Sequence, residues 1–394
     1  YTGALLWLDG QLLLLSYLQV SFVVFFLLFL VNQSKDSAWV PLVLVLGVTV
    51  NVALYDDYLM GDLAYTYTDL PAGVMFAASF IFGYGLLYRE EPTGRRDWSI
   101  FAVLLLAAIF LKLSAILLCA WFAFVLMYRI FVVKDEIREP AVGLSLHVVL
   151  LLIWLGKNIA TTGCLLYPEA STCFTALPWS AQANALGDAD AVTGWARLPG
   201  PGYLTALTDP SWFNAWWLPT YREFLTDLTR SGVIVGILCC VVAMVAGSFR
   251  ASLLDLRYWG ALSAVLLALL LWFWKAPTPR FGIGVFMLLF PVLFSFIQGK
   301  NAPQNARFSW WVRSAVVLAV LMIAFQVGEP IGKISRENIL TMRRMTVANP
   351  KVVPDPVYGV RPVDTDQCAL VPECAPYDRP PRSIVWGRTV FYRN

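Results

Sequence analysis

Apolar residues occur in long runs along almost the whole chain, and short polar segments separate one run from the next. A helix needs about 20 mostly apolar residues to cross the hydrocarbon core of a membrane, so runs of roughly this length predict membrane spans. Ten candidate spans lie at residues 11–31, 38–54, 71–88, 99–111, 113–133, 141–157, 231–248, 259–274, 281–298 and 312–328. We therefore predict an all-α integral membrane protein with about ten transmembrane helices.

Composition agrees with this fold class. The 394 residues are 59% hydrophobic and 14% charged, with a mean hydropathy of +0.66, which is too apolar for a soluble domain of this length. The runs at 99–111 and 113–133 meet at Lys112, so they form either two short tilted spans or one long helix with a break. The sequence begins at Tyr1, and residues 11–31 lack the basic leader and cleavage site of a signal peptide, so we interpret them as a span.

Lysine and arginine are concentrated in alternate loops, and this bias predicts the orientation of the spans. The basic loops are 32–37, 89–98, 129–140, 249–258 and 299–313. The short loops on the opposite side carry only Lys112, Lys275 and Arg280. Because cytoplasmic loops are enriched in positive charge, the basic set is predicted to be cytoplasmic and both ends of the chain extracytoplasmic.

Two long polar segments fall on the extracytoplasmic side of this topology. Residues 157–230 form an outer loop, rich in Trp and Pro, within a predicted transmembrane domain of residues 1–328. Tryptophans there, such as Trp216, are typical of segments at a membrane interface. Residues 329–394 form a predicted extracytoplasmic tail, with a short amphipathic helix at 334–345 followed by short strands and turns.

Cysteine placement is consistent with the same topology. Cys164 and Cys173 share the outer loop, Cys368 and Cys374 share the tail, and the other three cysteines lie within predicted spans. Because thiols outside the cytoplasm are commonly oxidised, we predict the disulfides Cys164–Cys173 and Cys368–Cys374, with pairing between loop and tail as the alternative. No zinc site is predicted, because the only histidine, His147, lies within a span.

An acidic loop precedes the third span. Residues 55–70 contain Asp56, Asp57 and Asp69 without any Lys or Arg. Carboxylates at an outer membrane face could remove a proton from an acceptor or hold a divalent cation. The alternative is a solvated loop in which Asp69 caps the helix that begins at Pro71.

Two basic residues near the outer face are candidates for binding an anion. Lys112 lies between apolar runs, and Arg280 follows two prolines that force an extended connection. Either side chain could bind a phosphate oxygen of a substrate. The alternatives are that Lys112 extends to the headgroups and that Arg280 contacts lipid.

Other chemistries have no motif in the sequence. His147 is expected to be a packed or hydrogen-bonded residue inside the membrane. No glycine-rich nucleotide loop, metal-ligand spacing or serine-nucleophile motif occurs, and no basic patch indicates nucleic-acid binding. No soluble cofactor is evident. An enzyme with these residues would use carboxylates, basic residues and a lipid-linked substrate, and a divalent cation stays open.

Several short motifs, taken in order, resemble a bacterial family of polytopic membrane proteins that is similar in layout to the GT-C glycosyltransferases. The resemblance spans nearly the whole chain. The motifs are Thr68-Asp69-Leu70-Pro71, Lys112-Leu113-Ser114, Lys157-Asn158, Gly163-Cys164-Leu165-Leu166-Tyr167-Pro168, Ser171-Thr172-Cys173-Phe174, Leu177-Pro178-Trp179-Ser180, Ala276-Pro277-Thr278-Pro279-Arg280-Phe281-Gly282, Asp366-Gln367-Cys368 and Pro372-Glu373-Cys374-Ala375-Pro376.

This resemblance implies a transferase that uses polyprenyl-phosphate-linked sugars at the periplasmic face of the bacterial inner membrane, for surface glycan assembly. Asp69, Lys112 and Arg280 carry over as site candidates. In GT-C enzymes an acidic residue of the first outer loop usually acts as the base. Members of the resembled family carry an acidic segment before the point where this sequence begins, so the base is expected upstream of Tyr1.

Two other functions fit the sequence. A non-catalytic scaffold subunit of a larger membrane complex would use the aromatic outer loop as a docking surface for other membrane subunits. A transporter of a lipid-linked or anionic solute would show internal repeats and helices broken in mid-membrane, whereas the sequence has no convincing repeat and its charged candidates lie at the outer rim. In all three cases membrane lipids are the expected partners.

Overall fold

Six of the ten predicted spans correspond to described helices in the computed structural model of the protein. The described residues are 69–198, 203–216, 226, 228–230, 232–237, 250–251, 255–295, 297–298, 352–355, 359–362, 381–385 and 388–391. The predicted spans 11–31, 38–54 and 312–328, and most of 231–248, lie outside these residues.

The described part is predominantly helical. Its α-helices are α1 (Asp69–Tyr88), α2 (Arg95–Leu111), α3 (Leu118–Met127), α4 (Arg138–Thr162), α5 (Gln182–Arg197), α6 (Trp212–Trp216), α7 (Leu256–Lys275) and α8 (Ile283–Phe294). A 3-10 helix (Leu113–Leu117) precedes α3, and a π-helix (Tyr128–Val133) follows it. Further 3-10 helices are Ala170–Thr172, Tyr203–Leu207 and Pro279–Gly282.

Strands are short and pair as antiparallel hairpins. They are β1 (Arg250–Ala251) with β2 (Ile297–Gln298), β3 (Val352–Asp355) with β4 (Gly359–Pro362), and β5 (Pro381–Val385) with β6 (Arg388–Phe391). The last four strands confirm the short strands predicted in the tail. The predicted helix at 334–345 lies outside the described residues.

The chain divides into two compact units. The first contains Tyr1–Leu152 and Thr193–Gly332, and the second contains Ile153–Val192 and Lys333–Asn394. In the first unit α1 is the central helix, since nearly all of its described side chains are buried and it packs against α2, α3 and α8.

Four helices among the described residues are long and apolar enough to cross a membrane. They are Pro71–Tyr88, Leu113–Val133, Arg138–Thr162 and Leu256–Lys275. Large apolar side chains remain exposed on the last three, for example Phe131, Leu146 and Leu270, each more than 60% exposed. Exposed apolar surface of this extent is typical of helices that face lipid, so the helices indicate a membrane protein.

The break at Lys112 shows that residues 99–133 are two helices rather than one. Lys112 has φ −154° and ψ 123°, which is extended backbone, and this conformation ends α2. Its amide donates to the carbonyl oxygen of Ala108, and its carbonyl accepts from Ala115, so both backbone groups stay bonded across the break. The helix α2 begins where the Asp97 carboxylate accepts the Gly94 amide, 3.1 Å away.

The ninth predicted span is shorter than its apolar run. Residues 281–298 were predicted as one helix, but α8 ends at Phe294. The Ser295 hydroxyl donates to the Val292 carbonyl oxygen and accepts from the Tyr84 hydroxyl, and β2 begins at Ile297. These side-chain bonds lie at the end of the helix, and the hydrophobicity of the run gives no sign of them.

Helices α1 and α8 cross at two glycines. A Cβ on Gly284 would lie 3.0 Å from the Gly73 Cα, and a Cβ on Gly73 would lie 3.0 Å from the Gly284 nitrogen. Small residues at such a crossing allow two helix backbones to approach closely, as in many membrane helix pairs. The crossing fixes how the start of α8 lies against the start of α1.

Candidate functional site

Three of the predicted site residues come from segments that meet at one end of the first unit. Asp69 is the first residue of α1, Lys112 is the break after α2, and Arg280 lies in the 3-10 helix Pro279–Gly282 ahead of α8. For Arg280 the structure describes the backbone, and its side chain lies outside the described part. We call this region the Lys112 end of the bundle.

Asp69 and Lys112 form an ion pair. The Lys112 ammonium donates a hydrogen bond to Asp69 Oδ1, and the two side chains are 23% and 6% exposed, respectively. A carboxylate with so little exposure needs a charged partner, because an isolated buried charge costs several kcal/mol, on the order of 3–5 when a pair is broken. Asp69 also lies in the first turn of α1, where the helix dipole favours a negative charge.

Phe281 is a second neighbour of the Lys112 ammonium. The Lys112 Nζ lies 3.7 Å from the centroid of the Phe281 ring, a cation–π contact. Phe281 directly follows Arg280, so the turn that carries Arg280 contacts Lys112 through its neighbour in sequence. The ammonium thus lies between a carboxylate and an aromatic face and keeps a partly exposed side.

An aromatic cluster that the sequence did not predict packs against the same turn. Trp216 is 3% exposed, and its indole Nε1 donates to the Pro277 carbonyl oxygen over 2.5 Å. Trp272 Nε1 donates to the Thr278 carbonyl oxygen over 2.8 Å. The ring of Trp216 is therefore buried, and its N–H is bonded to protein.

Arg197 attaches the segment 203–216 to the end of α7. Its guanidinium donates to the carbonyl oxygens of Ala206 and Trp274, over 3.2 and 3.1 Å, and lies 4.8 Å from the centroid of the Trp212 ring. At the start of α6, the pKa of Asp209 is lowered because the Ser211 hydroxyl and amide both donate to its carboxylate. The segment 203–216 is therefore held by polar as well as apolar contacts.

The opposite end of the first unit contains a buried arginine. Arg129 is 0% exposed and forms an ion pair with Asp135, whose side chain is 3% exposed. The guanidinium also donates to the carbonyl oxygens of Leu86, Arg89 and Glu91, which follow or end α1. Arg129 belongs to the basic loop 129–140 that is predicted to be cytoplasmic, and within that loop its side chain is buried and caps the end of α1.

A second polar group at this end connects α1 to α7. The Tyr84 hydroxyl donates to Ser295 Oγ over 3.0 Å, and the Tyr88 hydroxyl donates to Asp255 over 3.4 Å. The Arg257 guanidinium pairs with Asp255 and lies 4.2 Å from the centroid of the Tyr88 ring. These contacts and those of Arg129 hold the helix ends together, and none of them involves a predicted site residue.

The predicted disulfide Cys164–Cys173 is present, with the two Cα atoms 3.8 Å apart. It lies in the second unit, where the amide of Leu165 donates to the Thr172 carbonyl oxygen. Gly163 has φ +71°, and a Cβ at this position would lie 2.7 Å from the Ser180 Cα. Only glycine meets both requirements, so this motif of the resembled family stabilises a turn.

Other motif residues in the second unit also make structural contacts. The Asn158 side chain donates to the Leu165 carbonyl oxygen over 3.1 Å, and Trp179 Nε1 donates to the Ile159 carbonyl oxygen over 3.0 Å. The Tyr167 hydroxyl donates to the Asp188 carboxylate. These motifs between residues 157 and 180 therefore build a cross-linked turn at the end of α4.

The remaining candidates divide into one described residue and four that lie outside the described part. His147 is buried, and its Nδ1 lies 3.1 Å from the Gly143 carbonyl oxygen, as expected for a hydrogen-bonded residue inside a helix. Asp56, Asp57, Cys368 and Cys374 lie outside the described residues. Within the described part, no group of three or more His, Cys, Asp or Glu side chains could hold a metal ion.

The long apolar helices and the close glycine crossing of α1 and α8 are typical of a helical membrane protein. Residues 7–287, more than half of the chain, match the family described as Domain of unknown function (DUF8201), and the chain belongs to this family. No curated protein and no solved structure matches the chain.

Proposed function

We propose that the protein is a membrane transferase of GT-C type that acts on polyprenyl-phosphate-linked sugars at the Lys112 end of the bundle. The observation that supports this most is the convergence of Lys112, its partner Asp69 and the turn that carries Arg280. These came from three separate motifs of the sequence, and two of them share an ion pair.

Lys112 is suited to bind an anion because its position is fixed while one side stays accessible. Asp69 and Phe281 hold the ammonium through the ion pair and the cation–π contact. A lysine carries three donor hydrogens, so the ammonium can donate to a phosphate oxygen in addition to the carboxylate. A fixed cation of this kind stabilises the charge that develops on a departing phosphate.

The proposed reaction transfers the sugar from the lipid phosphate to an acceptor hydroxyl. The bond between the anomeric carbon and the phosphate oxygen breaks, and its electron pair stays on the polyprenyl phosphate. A new bond forms between the anomeric carbon and the acceptor oxygen, whose proton passes to a carboxylate.

Roles for the acidic residues follow from their surroundings. Asp69 is nearly buried against Lys112, which favours a role in orienting the ammonium. A carboxylate of the preceding acidic loop, Asp56 or Asp57, is the better candidate for a base within this sequence. Under the charge-based topology the Lys112 end faces the periplasm, together with the loop 157–230 and the tail, and the protein resides in the bacterial inner membrane.

A turnover assay tests this function. The purified protein is reconstituted in vesicles made from a bacterial membrane extract that contains polyprenyl-phosphate-linked sugars and their glycan acceptors, and release of polyprenyl phosphate is followed by mass spectrometry. We expect release by the wild type and at least a tenfold slower rate for Lys112→Met, since removing one charge-stabilising donor costs about 10²-fold or more in comparable sites.

Lys134→Met is the matched control, because Lys134 is an exposed lysine at the opposite end of the same unit. Its rate should equal that of the wild type. If the wild type releases no polyprenyl phosphate, or if Lys112→Met and Lys134→Met behave alike, the transferase proposal is wrong. Co-purification with other membrane subunits at fixed ratio, without turnover, would instead indicate the scaffold function.

A further inference from the structure

We infer that Trp216 and Trp272 are positioning residues that hold the turn 276–282 against Lys112. The segment 203–216, which carries Trp216, thereby controls the geometry of the proposed phosphate site. This inference rests on the proposed function and adds two residues to it. Neither tryptophan contacts the reacting groups in this account, and both act through the turn.

The turn needs donors from outside because its own backbone supplies few. Pro277 and Pro279 have no backbone N–H, and both are buried. Buried carbonyl groups without a donor cost about 1–3 kcal/mol each. Trp216, in α6, donates to the Pro277 carbonyl oxygen, and Trp272, in α7, donates to the Thr278 carbonyl oxygen.

The two indoles form one packed unit with the turn. The rings of Trp216 and Trp272 have centroids 6.4 Å apart, and Trp272 meets Phe286 edge-on at 4.9 Å. A Cβ on Gly282 would lie 2.4 Å from the Phe286 ring and 3.0 Å from Trp272 Nε1, so the turn has no space to shift toward them. The indoles therefore fix the position of the turn as well as satisfying its carbonyls.

A short path of contacts links these tryptophans to Lys112. The Phe281 amide donates to the Thr278 carbonyl oxygen over 3.1 Å, and this same oxygen accepts from Trp272. Phe281 then places its ring 3.7 Å from Lys112 Nζ. Displacement of the turn would move the ring away from the ammonium and change the direction in which Lys112 faces a ligand.

Binding of polyprenyl phosphate in detergent micelles, measured by native mass spectrometry, tests the inference. Trp216→Phe keeps the ring and removes the N–H, and we expect about 3- to 10-fold weaker binding, the equivalent of one hydrogen bond. Phe281→Leu removes the aromatic face and should weaken binding by about 2- to 5-fold. Because both changes act on one path of contacts, the double variant Trp216→Phe with Phe281→Leu should bind polyprenyl phosphate as tightly as whichever single variant binds less tightly.

Trp274→Phe is the matched control, since Trp274 is 69% exposed at the end of the same helix, and it should bind like the wild type. Trp272→Phe removes the other donor and tests the inference independently should Trp216→Phe fail to fold. The inference is overturned if Trp216→Phe and Trp272→Phe both bind polyprenyl phosphate with wild-type affinity. It is also overturned if the fold-changes of Trp216→Phe and Phe281→Leu multiply in the double variant.

The control for the underlying function is Lys112→Met. If Lys112→Met weakens binding and the tryptophan variants do not, only the positioning role fails. If Lys112→Met binds polyprenyl phosphate as well as the wild type, the proposed phosphate site fails, and the positioning role fails with it.

Discussion

Replacing Arg129 by Met should unfold the first unit, although Arg129 is remote from the proposed site. The methionine has a similar length and is apolar, so it removes the charge and the donors without leaving a large cavity. Asp135 would keep its negative charge with 3% exposure and lose its charged partner, with only the hydrogen bonds from Thr93 among those described remaining. The carbonyl groups of Leu86, Arg89 and Glu91 would lose their donors at the same time.

The structure gives the magnitude of this effect. Breaking a buried ion pair costs about 3–5 kcal/mol. Each carbonyl left without a donor adds roughly 1–3 kcal/mol, although water entering the site reduces the sum. We expect a total loss of at least about 5 kcal/mol, which is the entire stability of a marginal folded domain.

The assay is the yield of monodisperse protein in detergent, followed by the midpoint of thermal unfolding. Arg89→Met is the control, because the Arg89–Asp97 pair has side chains 35% and 21% exposed and such pairs contribute only about 0–1 kcal/mol. Arg89→Met should purify normally, and Arg129→Met should aggregate or unfold far earlier. If the two variants unfold at the same temperature, the buried network does not hold the helix ends together.

Three further predictions follow from other contacts. Cys164→Ser removes the cross-link to Cys173, nine residues away; opening so short a loop should cost about 2–3 kcal/mol, and an unchanged unfolding midpoint would count against a formed disulfide. Gly284→Val should lower the free energy of unfolding by about 1–3 kcal/mol, because its side chain would overpack against α1. A Cβ at Gly156 would meet open space, so Gly156→Val should unfold like the wild type. Because the pKa of Asp209 is lowered, its carboxylate stabilises the folded protein above the ordinary aspartate pKa, and this stabilisation is lost as the pH falls through the lowered value. Asp209→Ala should therefore flatten the acid side of a plot of unfolding midpoint against pH.

Most of the helical fold could be predicted from the sequence, because crossing a membrane imposes a length and an apolar composition on each span. The break at Lys112 could also be predicted, since a charged residue separated two apolar runs. The end of α8 could not. Hydrophobicity continues to residue 298, whereas the helix stops at Phe294, and the Tyr84 hydroxyl that bonds Ser295 there comes from 211 positions away in sequence.

The candidate site was predicted in parts. Asp69 and Lys112 were each identified as polar residues at the margin of a span, but nothing local indicates that they pair, because they are 43 positions apart. Trp216 was missed as a donor, since tryptophan in an outer loop is equally typical of a membrane interface. The two prolines around Thr278 were the available signal, because a segment with so few amides must receive its hydrogen bonds from elsewhere.

Arg129 shows the limit of counting charges. The positive-inside rule treats every loop arginine alike, yet the Arg129 side chain is entirely buried and caps a helix. Asp135, six residues later, was the local sign of a paired arginine. The described helices still alternate in direction, as the charge pattern predicts. The contacts of Asp69 and Phe281 with Lys112 place the starts of α1 and α8 at one end, and the contact of Tyr88 with Asp255 places the start of α7 at the other.

An experimental structure of the protein with polyprenyl phosphate tests the central claim most directly. We expect a phosphate oxygen within about 3 Å of Lys112 Nζ, at the distance of a charge-assisted hydrogen bond, while Asp69 and Phe281 keep their contacts with the lysine. A phosphate bound elsewhere, without a contact to Lys112, would contradict the proposed site and the transferase function that depends on it.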